Sequence, residues 1–236
     1  MATKNIVGLI PARGGSKRIH RKNLYLLDGI PLINHTILSA KQSKHLTYIF
    51  VSTEDDEIAE TSKLCGAEII KRPARLATDT ASSIDVLKHA ILYIQKKGLK
   101  IDALVLLQPT SPLRTFENID KSIELFLKED VDSVITVTPF DFKLGGLVNL
   151  SQSNDLNFKF TKEKFTRMQD TEELYWIDGC VYVNKPDFLL KSKELCFNKD
   201  DCKAIIISKN NSLEIDTLED VDYIQYLIHK NKIGGN

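Results

Sequence analysis

The sequence predicts an α/β fold, a mostly parallel sheet covered by helices, and two observations carry that prediction. Apolar, β-rich runs alternate with segments of helical period through the first half of the chain and again near its end. The length, 236 residues with 42% apolar side chains, suits one substantial domain. A chain of this size removes roughly 70% of its unfolded surface from water. Residues 1–236 are therefore read as a single domain.

Ile6 to Pro11, Tyr48 to Ser52, Glu68 to Ile70, Ala103 to Leu107 and Ser133 to Val137 read as strands. Pro31 to Ser43, Asp55 to Cys65, Ser83 to Lys97 and Phe116 to Lys128 read as the helices between them. Pro31 suits a first helical turn, and Thr53-Glu54-Asp55-Asp56 places acceptors and negative charge where a helix leaves free N–H groups. From Pro139 to about Trp176 the rhythm is lost: Gly145-Gly146, a polar stretch from Ser151 to Asn157, and short β-like pieces around Leu147 and Phe158. Residues 139–176 read as an insertion that packs on something else. The α/β pattern resumes with a strand from Cys180 to Asn184, a helix from Pro186 and a strand from Ala204 to Ile207. A closing helix runs from about Leu218 to Lys230, and Thr217 with Asp220 gives it a capping-box-like start.

Charge and cysteines narrow the function classes. Thirty-two basic residues balance thirty-two acidic ones, so the overall field gives no reason to expect nucleic acid or an anionic membrane as partner. Cys65, Cys180, Cys196 and Cys202 have neither the C-x-x-C spacing of a zinc or redox site nor the density of a disulfide scaffold, which points to reduced thiols. Only Lys4 precedes an apolar stretch that ends at Pro11, too short for a signal peptide. No run approaches the ~20 apolar residues of a membrane span. The expectation is a soluble, cytoplasmic protein.

In open sheets of this kind ligands bind beyond the carboxyl ends of the strands, so the loops after strands are where chemistry is sought. The first is Pro11-Ala12-Arg13-Gly14-Gly15-Ser16-Lys17-Arg18, followed by His20-Arg21-Lys22-Asn23. Gly14 and Gly15 let backbone N–H groups approach a phosphate, and Arg13, Lys17, Arg18, Arg21 and Lys22 bring five cations to one loop, which together make a polyphosphate site. It is neither a Walker loop, since G-x-x-x-x-G-K-[ST] is absent, nor a dinucleotide fingerprint, since the third glycine is missing. The plain alternative is a solvated basic turn; the position after the opening strand favours the phosphate site. His20 is close in sequence, but a lone histidine in a basic loop is more often simply solvated.

The second loop, Lys71 to Ser83, is long for a strand-to-helix connection of ~2 to 6 residues, as binding loops often are. Ser82 or Ser83 also suits a helix cap, and the two roles are compatible because a cap region presents N–H groups to a ligand. In the third, Gln108-Pro109-Thr110-Ser111-Pro112-Leu113-Arg114-Thr115, two prolines stiffen the turn that carries Gln108, Thr110, Ser111 and Arg114. In the fourth, Ser212 to Thr217, strand alternation puts Glu214 and Asp216 on one face. Such a pair repels unless a cation lies between, and magnesium takes one or two carboxylates plus phosphate oxygens. The other reading is that Asp216 only assists the helix N-terminus.

Taken together these loops resemble the acylneuraminate cytidylyltransferases, the CMP-sialic acid synthetases. The resemblance rests on Ile10 to Lys17 with Lys22-Asn23, on Arg72-Pro73, Leu76-Ala77 and Asp79 to Ser83, and on Gln108 to Arg114. It extends through Gly179 to Asn184 and Glu214 to Thr217, in family order over nearly the whole chain. It implies a Rossmann-like α/β domain whose irregular insertion exchanges contacts with a second subunit, giving a homodimer. It also implies that Arg13, Gly14, Gly15, Ser16, Lys17 and Lys22 grip the phosphates of CTP, with Lys22 the most important for turnover. Asn23, Arg72, Ala81 and Ser83 match positions around cytosine and ribose. Gln108, Thr110 and Tyr182 match the side of the acceptor, a nine-carbon 2-keto sugar acid, and Asp216 matches a magnesium-binding aspartate.

Three departures lie near the acceptor. Glu214 stands where the second metal carboxylate is usually Asp. Met168 stands where an Arg commonly crosses from the partner subunit, with Arg167 one residue away, and Asp178 replaces the usual Asn before Gly179. The implied reaction is attack of the anomeric hydroxyl on the α-phosphorus of CTP with loss of pyrophosphate, a chemistry that asks mainly for positioning and charge stabilisation. The rivals are CMP activation of the eight-carbon sugar Kdo, a sugar-1-phosphate nucleotidyltransferase, and a CTP-binding regulatory protein that has lost catalysis.

Overall fold

The structure, a computed structural model, describes residues 4–141, 147–152, 156–159, 173–193 and 196–234. In chain order the strands and helices are β1 (Ile6–Pro11), β2 (Leu26–Leu27), β3 (Ile30–Pro31), α1 (Leu32–Gln42), β4 (Tyr48–Thr53), α2 (Asp56–Leu64), β5 (Glu68–Lys71) and α3 (Ser83–Lys96). They continue with β6 (Ala103–Leu106), α4 (Phe116–Glu129), β7 (Ser133–Pro139), β8 (Val148–Leu150), β9 (Leu156–Phe158), β10 (Tyr175–Asn184), α5 (Pro186–Lys191), β11 (Cys202–Ile206) and α6 (Leu218–Gly234). The main sheet has seven strands in the order β11-β7-β10-β6-β1-β4-β5. All neighbours are parallel except β10, which runs antiparallel to both β6 and β7. The expected Rossmann-like α/β architecture holds.

Alternation along the strands builds a core on each face. Ile6 and Ile10 of β1 pack with Ile33 and Ile37 of α1, Ile58 of α2, and Ile119, Ile123 and Phe126 of α4. Val7 and Leu9 point the other way, against Ile84, Leu87, Ile91 and Ile94 of α3 and Leu189 of α5. Each fully buried side chain of this kind contributes about 1.5–3 kcal/mol. A third, smaller cluster joins Ile19 and Leu27 near the chain's start, Leu32 of α1, and Ile215, Val221 and Ile224 near its end. It fastens the first loop to the last, which the sheet alone would not do.

Element ends follow the sequence with instructive exceptions. Asp55 caps α2 by accepting from the Ile58 N–H at 2.9 Å, and Thr217 and Asp220 exchange the expected bonds at the start of α6. Pro31 lies before α1 because the β2–β3 hairpin holds it extended. Ser82 occupies the cap position of α3 without a side-chain cap bond. The strand expected from Cys180 begins at Tyr175, with a register shift between Ile177 and Tyr182. A bulge there breaks the two-residue period, which hides the first half of the strand from the sequence pattern. Much of the segment 139–176 lies outside the described residues; what is described is the outer pairing of Tyr175 with Pro139 and the β8–β9 hairpin. Among the described residues, no helix is long and apolar enough to cross a membrane.

Candidate active site

Beyond the carboxyl ends of β1, β5 and β6 lies a cleft of about 350 Å³ that the first three loops share. The first loop contributes Arg13, Gly15, Ser16, Lys22 and Asn23, the second Arg72, Asp79, Ala81 and Ser83, and the third Gln108, Pro109 and Thr110. Its volume falls within the ~300–1,000 Å³ of small-molecule sites.

The first loop is tied down from below. The Ala12 N–H donates to Ser52 O at 3.0 Å, and the Asn23 amide donates to Arg13 O at 2.9 Å. Gly14 donates its N–H to Glu54 Oε1 at 2.7 Å, and a Cβ there would lie 2.5 Å from Asp55 Oδ2, so only glycine fits. A Cβ on Gly15 would meet nothing within 4 Å, and Gly15 lines the cleft. Arg21, in the left-handed region at φ 50°, turns away from the cleft to Asp55 at 3.0 Å and Glu57 at 2.8 Å. Burial would raise the Asp55 carboxyl, but the Ile58 N–H and Arg21 hold it below its ordinary range.

Four cations near the cleft meet carboxylates from other loops. Arg13 Nη1 lies 2.7 Å from Asp79 Oδ1 and Lys17 Nζ 2.8 Å from Asp79 Oδ2. Lys17 foremost, with Arg13, holds the Asp79 carboxyl below its usual range. Lys22 Nζ donates to Ile215 O at 2.9 Å and to Asp216 Oδ1 at 3.1 Å, while Arg18 reaches Asp216 Oδ2 at 2.9 Å. The fourth loop thus closes on the first, and the Ile215 N–H donates to Thr110 O at 2.8 Å, linking it to the third as well.

Two arginines serve as buried struts. Arg72 donates to the Ser52 hydroxyl and carbonyl beneath the cleft, and burial lowers its pKa, opposed by Glu54. Arg114 bridges Gln108 O at 3.1 Å, Cys180 O at 2.8 Å and Thr36 Oγ1 at 2.7 Å, joining the third loop to the β10 bulge and α1.

The bulge is acidic. Asp178 is buried, accepts from Thr136 Oγ1 at 2.6 Å and the Cys180 N–H at 2.9 Å, and burial raises its pKa. Gly179, at φ 74°, leaves room for Glu214, whose Oε1 would lie 2.4 Å from any Cβ there. Residues 213–216 form no strand, but Ile215 is buried, and Glu214 and Asp216 flank it on the accessible side. Desolvation first, then the charges of Asp216 and Asp178, push the Glu214 carboxyl up to about 7, with Lys22 opposing. Among the described residues no cation forms an ion pair with it, and no group of three His, Cys, Asp or Glu is placed to hold a metal.

A family profile described as cytidylyltransferase matches residues 7–225. The chain belongs to the cytidylyltransferase family. It is accordingly a nucleotidyltransferase. Post-translational flagellin modification protein B of Campylobacter coli is 31% identical over 97% of each chain. The CMP-N,N'-diacetyllegionaminic acid synthase of Legionella pneumophila is 32% identical over 96% of this chain and 97% of its own. The solved structure of CMP:2-keto-3-deoxy-manno-octonic acid synthetase complexed with CTP superposes with a TM-score of 0.71 at 15% identity, covering 97% of this chain and all of that one, which shows the fold.

Within this cytidylyltransferase the sequence-predicted residues separate into groups. Arg13, Gly15, Ser16, Lys22, Asn23, Arg72, Ala81, Ser83, Gln108 and Thr110 share the cleft. Gly14 and Lys17 sit in the same loop, and Asp216 is joined to it through Lys22. Tyr182 does not line the cleft: it is buried opposite Leu106 with its ring on Phe197, 6.3 Å between centroids. Arg167 and Met168 lie outside the described residues. Of the five cations expected to face phosphate, Arg21 faces α2, and Arg18 lies beside Asp216 without lining the cleft. His20 is exposed and outside the cleft lining. Sequence reasoning gave no role to Asp79 and took Glu54-Asp55 only as a helix start. An acidic pair directly after a strand that neighbours the glycine loop was the signal available.

Proposed function

We propose that this cytidylyltransferase transfers CMP from CTP to the anomeric hydroxyl of a nonulosonic acid, a nine-carbon 2-keto sugar acid, and releases pyrophosphate. The observation that carries the reading is the cleft in which Arg13, Ser16 and Lys22 stand opposite Gln108 and Thr110. The pairing of Lys22 with Asp216 adds to it. Similarity along nearly the full length to a CMP-N,N'-diacetyllegionaminic acid synthase supports the sugar class. The likeness to the octonic acid synthetase, at 15% identity, speaks to fold and not to the eight-carbon sugar.

Arg13, Ser16, Lys17 and the Gly15 backbone hold the departing pyrophosphate, while Gly14, whose N–H goes to Glu54 and not, as expected from the sequence, to the ligand, shapes the turn. Lys22, fixed by Ile215 O and Asp216, stabilises the charge that spreads over the α-phosphoryl oxygens during in-line attack. Asn23, Arg72, Ala81 and Ser83 enclose the base and ribose. Gln108 and Thr110 orient the sugar, Tyr182 backs that side from the core, and Arg167 meets the sugar carboxylate. Glu214 suits a divalent cation, because it is a hard oxygen donor that feels the charges of Asp216 and Asp178 and has no ion-pair partner among the described residues. Glu214 and Asp216 would hold magnesium, which supplies charge neutralisation at the phosphate oxygens.

Leu147, Val148, Leu150, Leu156, Trp176 and Ile177 are exposed on and beside β8, β9 and the start of β10. This apolar grouping supports the insertion 139–176 as the contact of a homodimer, to be tested by light scattering. Four free cysteines agree with a cytoplasmic setting.

The deciding experiment supplies purified protein with CTP, magnesium and, separately, sialic, legionaminic and pseudaminic acids, Kdo and sugar-1-phosphates, and reads pyrophosphate. Release with at least one nonulosonic acid is expected. Release only with Kdo or a sugar-1-phosphate would refute the reading, and CTP binding without release for any acceptor would mark a regulatory protein.

A further inference from the structure

We infer that Asp79 is an internal competitor for the phosphate subsite, a carboxylate that holds Arg13 and Lys17 until a nucleotide polyphosphate displaces it. The inference rests on the proposed reading that these two cations bind the phosphates of CTP.

The geometry is that of a bridging anion. The two carboxylate oxygens go to different cations, Oδ1 to Arg13 Nη1 at 2.7 Å and Oδ2 to Lys17 Nζ at 2.8 Å. A phosphate would use the same two donors in the same way. Asp79 sits at the tip of a turn closed by the Ala81 N–H on Thr78 O at 3.2 Å, in the long connection between β5 and α3. Its own side chain makes no other hydrogen bond among the described residues. Nothing else anchors it to the cleft, so it can leave without disturbing the core.

Exposure decides whether the pairs are permanent. The side chains of Arg13, Asp79 and Lys17 are 35%, 46% and 74% exposed, and ion pairs this open are individually weak. A triphosphate carrying several negative charges outcompetes one carboxylate. Glu54, which takes the Gly14 N–H at 2.7 Å, has an oxygen fully buried and stays in place as part of the loop's support. The exchange lowers the apparent affinity for nucleotide and for pyrophosphate together, because only the fraction with Asp79 displaced can bind. After transfer, Asp79 returns to the cations and assists pyrophosphate release.

The test measures calorimetric binding of magnesium pyrophosphate, and the KM for CTP, in the wild type, Asp79→Asn and Asp79→Ala. Both variants should bind pyrophosphate about three- to tenfold more tightly and show a correspondingly lower KM for CTP, from the loss of two exposed pairs. The gain should shrink at high salt, a response that a merely structural role would not give. It should vanish when Asp79→Asn is combined with Arg13→Ala and Lys17→Ala. Unchanged or weaker pyrophosphate binding, or a gain that persists without the two cations, overturns the role of Asp79 alone. A wild-type protein that neither binds pyrophosphate nor releases it from CTP removes the functional reading itself, and this inference with it.

Discussion

The first-loop side of the cleft, proposed to hold the nucleotide, and the side of Gln108 and the β10 bulge, proposed to hold the acceptor, differ in how their charges are balanced. On the nucleotide side Arg13 and Lys17 meet Asp79, Arg18 and Lys22 meet Asp216, and Arg21 meets Asp55 and Glu57. On the acceptor side Glu214 and Asp178 have raised pKa values. Ser111 Oγ, Arg114 Nε, Thr138 Oγ1 and Asp178 Oδ2 are buried there without a hydrogen-bond partner among the described residues, against Arg21 Nε and Glu54 Oε2 on the first side. A buried polar atom left unpaired costs roughly 1–3 kcal/mol. One side therefore pairs its charges across its own loops, and the other holds carboxylates that form no ion pair among the described residues and more of the unmet bonds. On the proposed reading, substrate would exchange partners on the first side and supply them on the second.

Lys22 carries the largest expected effect. Lys22→Ala removes the group that links both sides, and turnover should fall by about 10²–10³-fold, the range for loss of one charge-stabilising donor. Circular dichroism should show an intact fold, since the side chain contributes to no core cluster. A variant with near-normal pyrophosphate release would show that the meeting of the first and last loops is only structural. Next comes Arg114→Leu, which strips donors from Gln108 O, Cys180 O and Thr36 Oγ1. Stability should drop by about 2–3 kcal/mol in denaturant unfolding, the cost of leaving buried acceptors unpaired. The KM for sugar should rise more than that for CTP, because the strut supports the third loop and the bulge. Asp55→Ala follows. It deletes the α2 cap and the Arg21 pairing, for about 1–2 kcal/mol of stability, and should raise the KM for CTP but not for sugar.

How much of this was legible varies by residue. The opening strand and the loop after it were readable because Ile6 to Pro11 is an uninterrupted apolar run that ends in two glycines among cations. The caps at Asp55 and Thr217 were readable because they depend on neighbours three residues away. The direction of Arg21 was not, since a left-handed backbone at φ 50° turns its side chain toward a helix 34 residues distant in sequence. Nor was the partnership of Asp79, which depends on two loops meeting in space. Arg114 was read only as a residue carried by the proline-stiffened turn, and its burial follows from carbonyls on the third loop and β10 that no local pattern announces. The bulge at Asp178-Gly179 was hidden because the extra residues cancel strand alternation.

Glu214 gives the smallest effect and the sharpest test of the acidic side. Its pKa is raised from an ordinary 4.5 to about 7. The native state therefore holds this proton over a pH range in which the unfolded chain has released it. A state that binds more protons loses stability as pH rises, so this contribution is fully present below about pH 4.5 and gone above about pH 7. The residue as a whole is exposed although its carboxyl packs against Gly179, and screening limits the amplitude to below about 1 kcal/mol, a melting shift of roughly 2–4 °C. Glu214→Gln cannot titrate there. Without divalent metal its melting temperature should decline less than that of the wild type between pH 5 and pH 7.5, by roughly that amount. Parallel melting curves for the two proteins would show that Asp178 and Asp216 do not burden Glu214, and the contrast between the two sides would then rest on the unpaired atoms of the bulge alone.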